Sequence, residues 1–296
     1  MIVERKADLR RKKIAAHAFL IVFICLVMFP FLVILSISFR EGNFAVGTLL
    51  PRNPTLEHWS LALGIPYTRE DGTVVPPPYP VLRWLWNSVK LGLLAGAGVL
   101  VISTISAYAF SRVRFRGRGG LLDSLFIVQM FPTTLALVAI YAIFDSMSEV
   151  SPVLGIDSHL AVVLVYWSGV VMHIWTLKGY FDSVDPALDK AAAIDGASPF
   201  QTFRYIFLPL AVPMMSVVFV LVFIGAINDY PVASVLLRSQ DQMTLAVGSR
   251  LYLNEMRYLW GDFAAAAILS GVPITAVFLV AQRYLVSGLA EGSVKG

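Results

Sequence analysis

Long apolar stretches alternate with polar segments along the whole chain. The apolar stretches cover about 15–39, 87–111, 122–144, 160–178, 207–228 and 263–284. A helix needs about 20 mostly apolar residues to cross a bilayer, and each stretch is close to that length. The pattern therefore predicts an all-α polytopic membrane protein with six transmembrane helices.

The composition supports this interpretation. Hydrophobic residues make up 57% of the 296 residues and charged residues 14%, whereas soluble domains are about 25% charged. Basic residues precede the first apolar stretch, as they do in a secretory signal. Its apolar run is longer than the ~7–15 residues of a signal sequence, so we expect an uncleaved anchor. Cys25 lies within this span as the sole cysteine and can form no intramolecular disulfide.

Lysine and arginine residues set the expected orientation, because short cytoplasmic loops are enriched in them. Fifteen lie in the two termini, in the loop 112–118 and around 178–204, while seven lie in the longer opposite loops. We therefore expect both termini to be cytoplasmic. The basic residues behind the net charge of +4 lie in segments next to the spans. They are therefore explained by contact with membrane lipid, and no nucleic-acid partner is needed to explain them.

The spans divide the chain into three parts. We expect a cytoplasmic N-terminal segment 1–14, a membrane domain 15–284 and a cytoplasmic tail 285–296. The membrane domain would carry outer loops at about 40–86, 145–159 and 229–262 and a cytoplasmic loop at about 179–206. Trp84, Trp86 and Trp260 flank spans and are expected to lie at the membrane interface.

The sequence lacks the signatures of several chemistries. No span has a carboxylate near its centre, which argues against an ion-coupled carrier. No phosphate-binding Gly-Lys loop, metal-ligand spacing or catalytic cluster is present, so we expect neither an enzyme nor a cofactor in this chain. Gln129, Pro132 and His173 are polar or helix-breaking positions within spans. They are candidate pathway residues, with ordinary helix–helix hydrogen bonding as the alternative.

Residues 185–209 form a polar segment between two apolar stretches. Asp185 can cap a helix that has Pro186 at its first position, and Gly196 can end it in a left-handed turn. Ser198 and Gln201 have the spacing of a capping box for a second helix. The pattern predicts two short helices outside the bilayer, joined at Gly196.

The same segment resembles the EAA loop of ATP-binding-cassette importer permeases. The matching residues are Ala191-Ala192, Asp195-Gly196-Ala197, Phe203, Ile206 and Leu208-Pro209, with Lys190 at the position usually held by Glu. In that family the loop is a coupling helix that docks into a cleft of the ATPase. The resemblance therefore implies ATPase-coupling roles for Asp189, Lys190, Ala191, Ala192, Asp195, Gly196 and Ala197. An amphipathic surface helix is the alternative.

Motifs along the full length resemble the smaller permease subunits of bacterial maltose/maltodextrin importers. They include 76–82, 85–90, 129–132, 259–267 and the C-terminal 288–296. The resemblance implies a type I importer permease fold in the bacterial inner membrane. It also implies a MalF-like partner permease, a MalK-like ATPase dimer that binds ATP and Mg²⁺, and a periplasmic maltose-binding protein.

Two further sites come only from this resemblance. A scoop that contacts the binding protein would comprise Leu253, Asn254, Glu255, Met256 and Arg257, and a tail that contacts the ATPase dimer would include Gly288 and Lys295. The expected function is the import of maltose and maltodextrins. Another oligosaccharide, or a secondary carrier or channel that works without an ATPase, remains the alternative.

Overall fold

The structure, a computed structural model, describes residues 6–254 and 257–292. It is built almost entirely of helices, with two short antiparallel hairpins that the sequence did not predict. The chain divides into two compact units, residues 1–80 with 251–268, and residues 81–250 with 269–296.

By length and composition, the described residues contain five helical stretches that could each cross a membrane, and a sixth candidate span if a pair of helices bent by 48° is counted as one. This count agrees with the six predicted spans, although the candidate at the third span is Thr133–Val150 instead of 122–144. The helices are α1 (Lys6–Ser38), α2 (Glu57–Ala62), α3 (Val81–Arg112), α4 (Arg118–Gln129), α5 (Thr133–Val150), α6 (His159–Ser168), α7 (Val171–Ser183), α8 (Ala187–Ile194), α9 (Pro199–Thr202), α10 (Leu208–Asn228), α11 (Pro231–Leu236), α12 (Leu245–Gly248) and α13 (Trp260–Gly292).

The first unit begins with α1, whose apolar side chains are exposed along most of its length. The segment after it contains α2 and a hairpin of β1 (Tyr67–Thr68) and β2 (Val74–Val75). A second hairpin, β3 (Leu253–Asn254) with β4 (Arg257–Tyr258), precedes α13.

The second unit is centred on α3, which packs against α10, α7 and α6. Glycines on α3 allow α10 to come close. A β-carbon added at Gly92 would lie 2.9 Å from the Phe223 ring, and one added at Gly96 would lie 2.7 Å from the Phe219 ring. Small residues thus let the two helices approach closely, as small residues do between membrane helices.

Two predicted spans are interrupted. The third is broken at Met130–Pro132 between α4 and α5, because proline has no N–H and its ring clashes with the preceding turn. Gln129 is therefore the last residue of α4, and Pro132 directly precedes α5. The fourth is bent where α6 ends and α7 begins, around Gly169.

The predicted interfacial role of Trp84 is wrong. Its side chain is fully buried in the second unit, where Nε1 donates a hydrogen bond to the Gln240 carbonyl at 2.7 Å. Gly248 lies against the indole ring and leaves room for it. Trp86, two residues further, is exposed.

Candidate functional site

The first half of the 185–209 loop has the predicted cap and stop. The Asp185 carboxylate accepts a hydrogen bond from the Ala187 N–H at 2.8 Å, and α8 follows. Gly196 adopts φ = +77°, and its N–H donates to the Ala193 carbonyl at 3.2 Å. A residue with a β-carbon would be strained at this φ, which is why glycine ends the helix here.

The second half of the loop contains the predicted capping box but no separate helix. The Gln201 N–H donates to Ser198 Oγ, and the Ser198 N–H donates to the Gln201 side chain. However, α9 continues through a π-helical turn, Phe203–Phe207, directly into α10. Pro199–Asn228 is one helical stretch of 30 residues. The prediction of a second short helix is therefore wrong, and the loop is joined to the fifth span without a break.

Arg112, at the end of α3, fastens the loop to the rest of the second unit. Its Nη1 donates to the Asp189 carboxylate at 2.7 Å, and its Nη2 donates to the Phe181 and Val184 carbonyls. The guanidinium carbon also lies 4.7 Å from the centroid of the Phe207 ring. Charge-assisted hydrogen bonds and cation–π contact make this a strong connection. The sequence did not indicate it, because Arg112 looked like one of several basic loop residues.

Exposure separates the resemblance-derived coupling residues into two groups. Ala192 is buried, and its carbonyl accepts the Ala197 N–H at 2.9 Å, so it packs within the loop. Asp189 is held by Arg112, as described above. The exposed members are Lys190, Ala191, Asp195 and Gly196, and Ala197 is half-buried.

Two large apolar side chains at the tip of the loop were missed by the sequence analysis. Ile194 is 86% exposed and Phe200 is 68% exposed. They flank the turn at Gly196, and the exposed polar residues Asp195, Ser198 and Gln201 are close to them in the sequence. Exposed apolar side chains rimmed by polar ones are typical of a protein–protein contact, and their position beside the turn was the signal in the sequence.

Two cavities within the second unit have polar side chains among apolar ones in their lining, and we call them the polar cavities. One, of about 260 Å³, is lined by Gln129, Thr133, Thr134, Leu137, Val165, Tyr166, Ser168, Gly169, Asp229, Pro231 and Val232. The other, of about 250 Å³, is lined by Val99, Tyr166, Gly169, His173, Leu221, Val222, Gly225, Ala226 and Asp229. Gln129 and His173 thus line different cavities that share Tyr166, Gly169 and Asp229, whereas Pro132 lines neither.

Comparison with known proteins identifies the family. A model of the family "Binding-protein-dependent transport system inner membrane component" matches residues 99–291. The chain belongs to this family. Its members are membrane permease components, and residues 99–291 of the permease described here include both polar cavities and the whole 185–209 loop.

Relatives of this permease match along its full length. "Maltose/maltodextrin transport system permease protein MalG" of Vibrio parahaemolyticus is 53% identical over 100% of both chains. The protein of the same name from Escherichia coli K12 is 52% identical over 95% of each chain.

Solved structures show the same fold. A bacterial ABC transporter that imports the acidic polysaccharide alginate has a chain with a TM-score of 0.74 at 20% identity, covering 96% of this permease and 99% of that chain. The alginate transporter in complex with its pentasaccharide-bound periplasmic protein gives 0.65 at 17% identity, covering 94% and 96%. The importer permease fold that the resemblance implied is therefore confirmed.

The segment expected to be the permease's scoop is the β3–β4 hairpin, in which Leu253 pairs with Tyr258 and Asn254 with Arg257. Glu255 and Met256 lie outside the described residues. The expected tail is helical as far as Gly292, so Gly288 belongs to α13, and Lys295 lies outside the described residues.

The permease also contains a buried His–Asp pair that the sequence analysis did not detect. His58 Nδ1 lies 2.6 Å from Asp262 Oδ1, and Nε2 lies 3.0 Å from the carbonyls of both Arg40 and Gly42. Burial lowers the pKa of His58, but the hydrogen bond to Asp262 and the negative charges of Asp262 and Glu57 outweigh burial and raise it overall. Since both ring nitrogens face acceptors, the imidazolium form fits this site.

Proposed function

We propose that this chain is the MalG-type permease subunit of an ATP-driven importer of maltose and maltodextrins. The observation that carries the proposal is the 53% identity, over the full length of both chains, to a protein named as a maltose/maltodextrin permease. The geometry of the 185–209 loop supports it, since the tip of the loop exposes apolar groups suited to docking.

The proposed partners are a MalF-like permease, a MalK-like ATPase dimer and a periplasmic maltose-binding protein. ATP and Mg²⁺ would be bound by the ATPase and not by this chain. The bias of lysine and arginine supports cytoplasmic termini and a cytoplasmic 185–209 loop, and the exposed apolar surface of α1 suits lipid or the partner permease.

In the proposed mechanism, closure of the ATPase dimer displaces the 185–209 loop. Ile194 and Phe200 would enter the ATPase cleft, and Lys190, which replaces the usual Glu, would face an acidic residue there. The continuous helix Pro199–Asn228 and the Arg112–Asp189 pair would carry the displacement into the spans. Differential contacts worth about 1–3 kcal/mol are sufficient for such coupling.

The remaining candidate sites belong to this proposal. Gln129 and His173 would lie along the sugar path because they line the polar cavities, and Pro132 would shape the path by breaking the helix between α4 and α5. The segment Leu253–Arg257 would contact the binding protein, and the tail with Gly288 and Lys295 would contact the ATPase dimer.

Reconstitution tests the proposal directly. The chain is incorporated into proteoliposomes with the three partners, and uptake of labelled maltose is measured with and without ATP and binding protein. We expect uptake only when both are present. Maltose uptake by the chain alone would identify a secondary carrier or channel, and uptake restricted to another oligosaccharide would refute the maltose assignment.

A further inference from the structure

Asp229 occupies a central position between the two polar cavities. It directly follows the last residue of α10, and its Oδ2 accepts hydrogen bonds from the Tyr166 hydroxyl at 3.0 Å and the Ala233 N–H at 3.0 Å. Asp229 and Tyr166 both line each cavity. The sequence analysis overlooked Asp229 because it lies one residue beyond the apolar stretch 207–228.

A helix cap explains only part of this arrangement. The bond from Ala233 caps the first turn of α11 and would be made equally well by a side chain away from any cavity. Tyr166, by contrast, comes from α6 and brings a hydroxyl to the same carboxylate oxygen. An ionisable side chain that faces a cavity at the edge of a span is costly, and it therefore points to a function.

The lining of the cavities defines the chemistry of a ligand. The polar groups of the first cavity are hydroxyls, one amide and the Asp229 carboxylate, and His173 is the one basic side chain that lines the second. Among the residues that the structure describes, no lysine or arginine lines either cavity. A carboxylate and hydroxyls can accept and donate hydrogen bonds to a sugar's hydroxyl groups, whereas an anionic sugar would be repelled.

The cavities also have a suitable size. Each has a volume of about 250–260 Å³, which corresponds to roughly eight waters at ~30 Å³ each. Each cavity therefore has enough space for one sugar ring, and both are open to their surroundings.

We propose that Asp229 and Tyr166 form a subsite that binds a hydroxyl of a neutral sugar as it passes through this chain. The inference rests on the proposed function, since it assigns the sugar path to these cavities. Asp229 accepts the sugar hydroxyl, and Tyr166 holds the carboxylate in position.

The test compares Asp229→Asn and Tyr166→Phe with the wild type in the complete importer. Uptake of maltose and of a series of mono-deoxy maltoses is measured at subsaturating sugar. The ratio of variant to wild type is taken for each sugar, because this ratio cancels the preference of the binding protein. We expect Asp229→Asn to lower maltose uptake about tenfold or more, the value of a charged hydrogen bond. One deoxy sugar should be unaffected by the substitution, since it lacks the hydroxyl that Asp229 binds.

Asp157→Asn is the matched control. Asp157 also accepts backbone N–H groups, from Arg238 and Ser239, but lines neither cavity. We expect this variant to show no dependence on the sugar analogue.

A uniform loss of uptake across all analogues in Asp229→Asn would overturn the proposal and leave Asp229 as a helix cap. Should that variant fail to assemble, Tyr166→Phe decides, because it keeps the carboxylate and its bond to Ala233. It should then show the analogue-dependent loss, and a uniform effect would overturn the proposal. Absence of maltose uptake by the wild type refutes the proposed function instead, which distinguishes the two failures.

Discussion

Replacing Arg112 by Gln should uncouple the 185–209 loop from α3. The substitution removes the ion pair with Asp189 and the hydrogen bonds to the Phe181 and Val184 carbonyls. Breaking a fully buried pair costs about 3–5 kcal/mol. The Arg112 side chain is 11% exposed and that of Asp189 32%, so we expect a lower cost of about 2 kcal/mol.

A change of about 2 kcal/mol shifts the equilibrium between a fastened and a released loop by roughly 30-fold. The assay is the number of maltose molecules imported per ATP hydrolysed in proteoliposomes. We expect Arg112→Gln to assemble and to hydrolyse ATP, while this ratio falls by about an order of magnitude. Transport should fall because the motion of the loop no longer reaches α3.

Arg114→Gln provides a matched control, because Arg114 is an exposed arginine of the same loop. It should leave the ratio unchanged. The double variant Arg112→Gln/Asp189→Asn should lose less coupling free energy than the two single variants together, as expected for residues in contact. Equal ratios for Arg112→Gln and Arg114→Gln would show that the Arg112 contacts carry no coupling.

Three further substitutions test other parts of the structure. Gly196→Pro should abolish transport while the spans still insert, because proline cannot adopt φ = +77° or donate the N–H bond; normal uptake by this variant would contradict the prediction. Gly196→Ala is the control: its β-carbon meets nothing within 4 Å, so it should cost only about 1 kcal/mol of backbone strain. Gly96→Val should lower the melting temperature of the purified complex by crowding Phe219, whereas an unchanged melting temperature would contradict close α3–α10 packing. Because folding raises the pKa of His58, the stabilisation that His58 provides is complete below about pH 6.5 and is lost as the pH rises through the folded-state pKa. The melting temperature should therefore depend on pH in the wild type and lose this dependence in His58→Gln. Equal slopes of melting temperature against pH in the two proteins would refute the prediction.

Local patterns made the spans and the caps of the loop predictable. The length of each apolar stretch indicates directly whether it can cross the membrane. In the loop, the hydrogen bonds of Asp185, Gly196, Ser198 and Gln201 join residues that are within four positions of each other. The interruption at Pro132 had a visible cause. The sequence analysis nevertheless predicted one continuous span at 122–144, because membrane helices tolerate proline.

The missed features depend on partners far away along the chain. His58 pairs with a residue 204 positions later, and Trp84 with one 156 positions later. Arg112 reaches Asp189 across 77 positions. No periodicity in the sequence encodes such pairs. In the sequence alone, His58 and Trp84 therefore look like residues without a specific partner.

One helical stretch links the two candidate sites of the second unit. Pro199–Asn228 contains 30 residues, a length of about 45 Å at ~1.5 Å per residue. It begins at the capping box of the loop and ends beside Asp229. Packing against α3 through Gly92 and Gly96 makes the two helices move together, and Arg112 fastens α3 to the same loop. A displacement of the loop would therefore move both helices, and with them the wall of the cavities that carries Asp229. The proposed ATPase-docking loop and the proposed sugar subsite would then be coupled through these two helices.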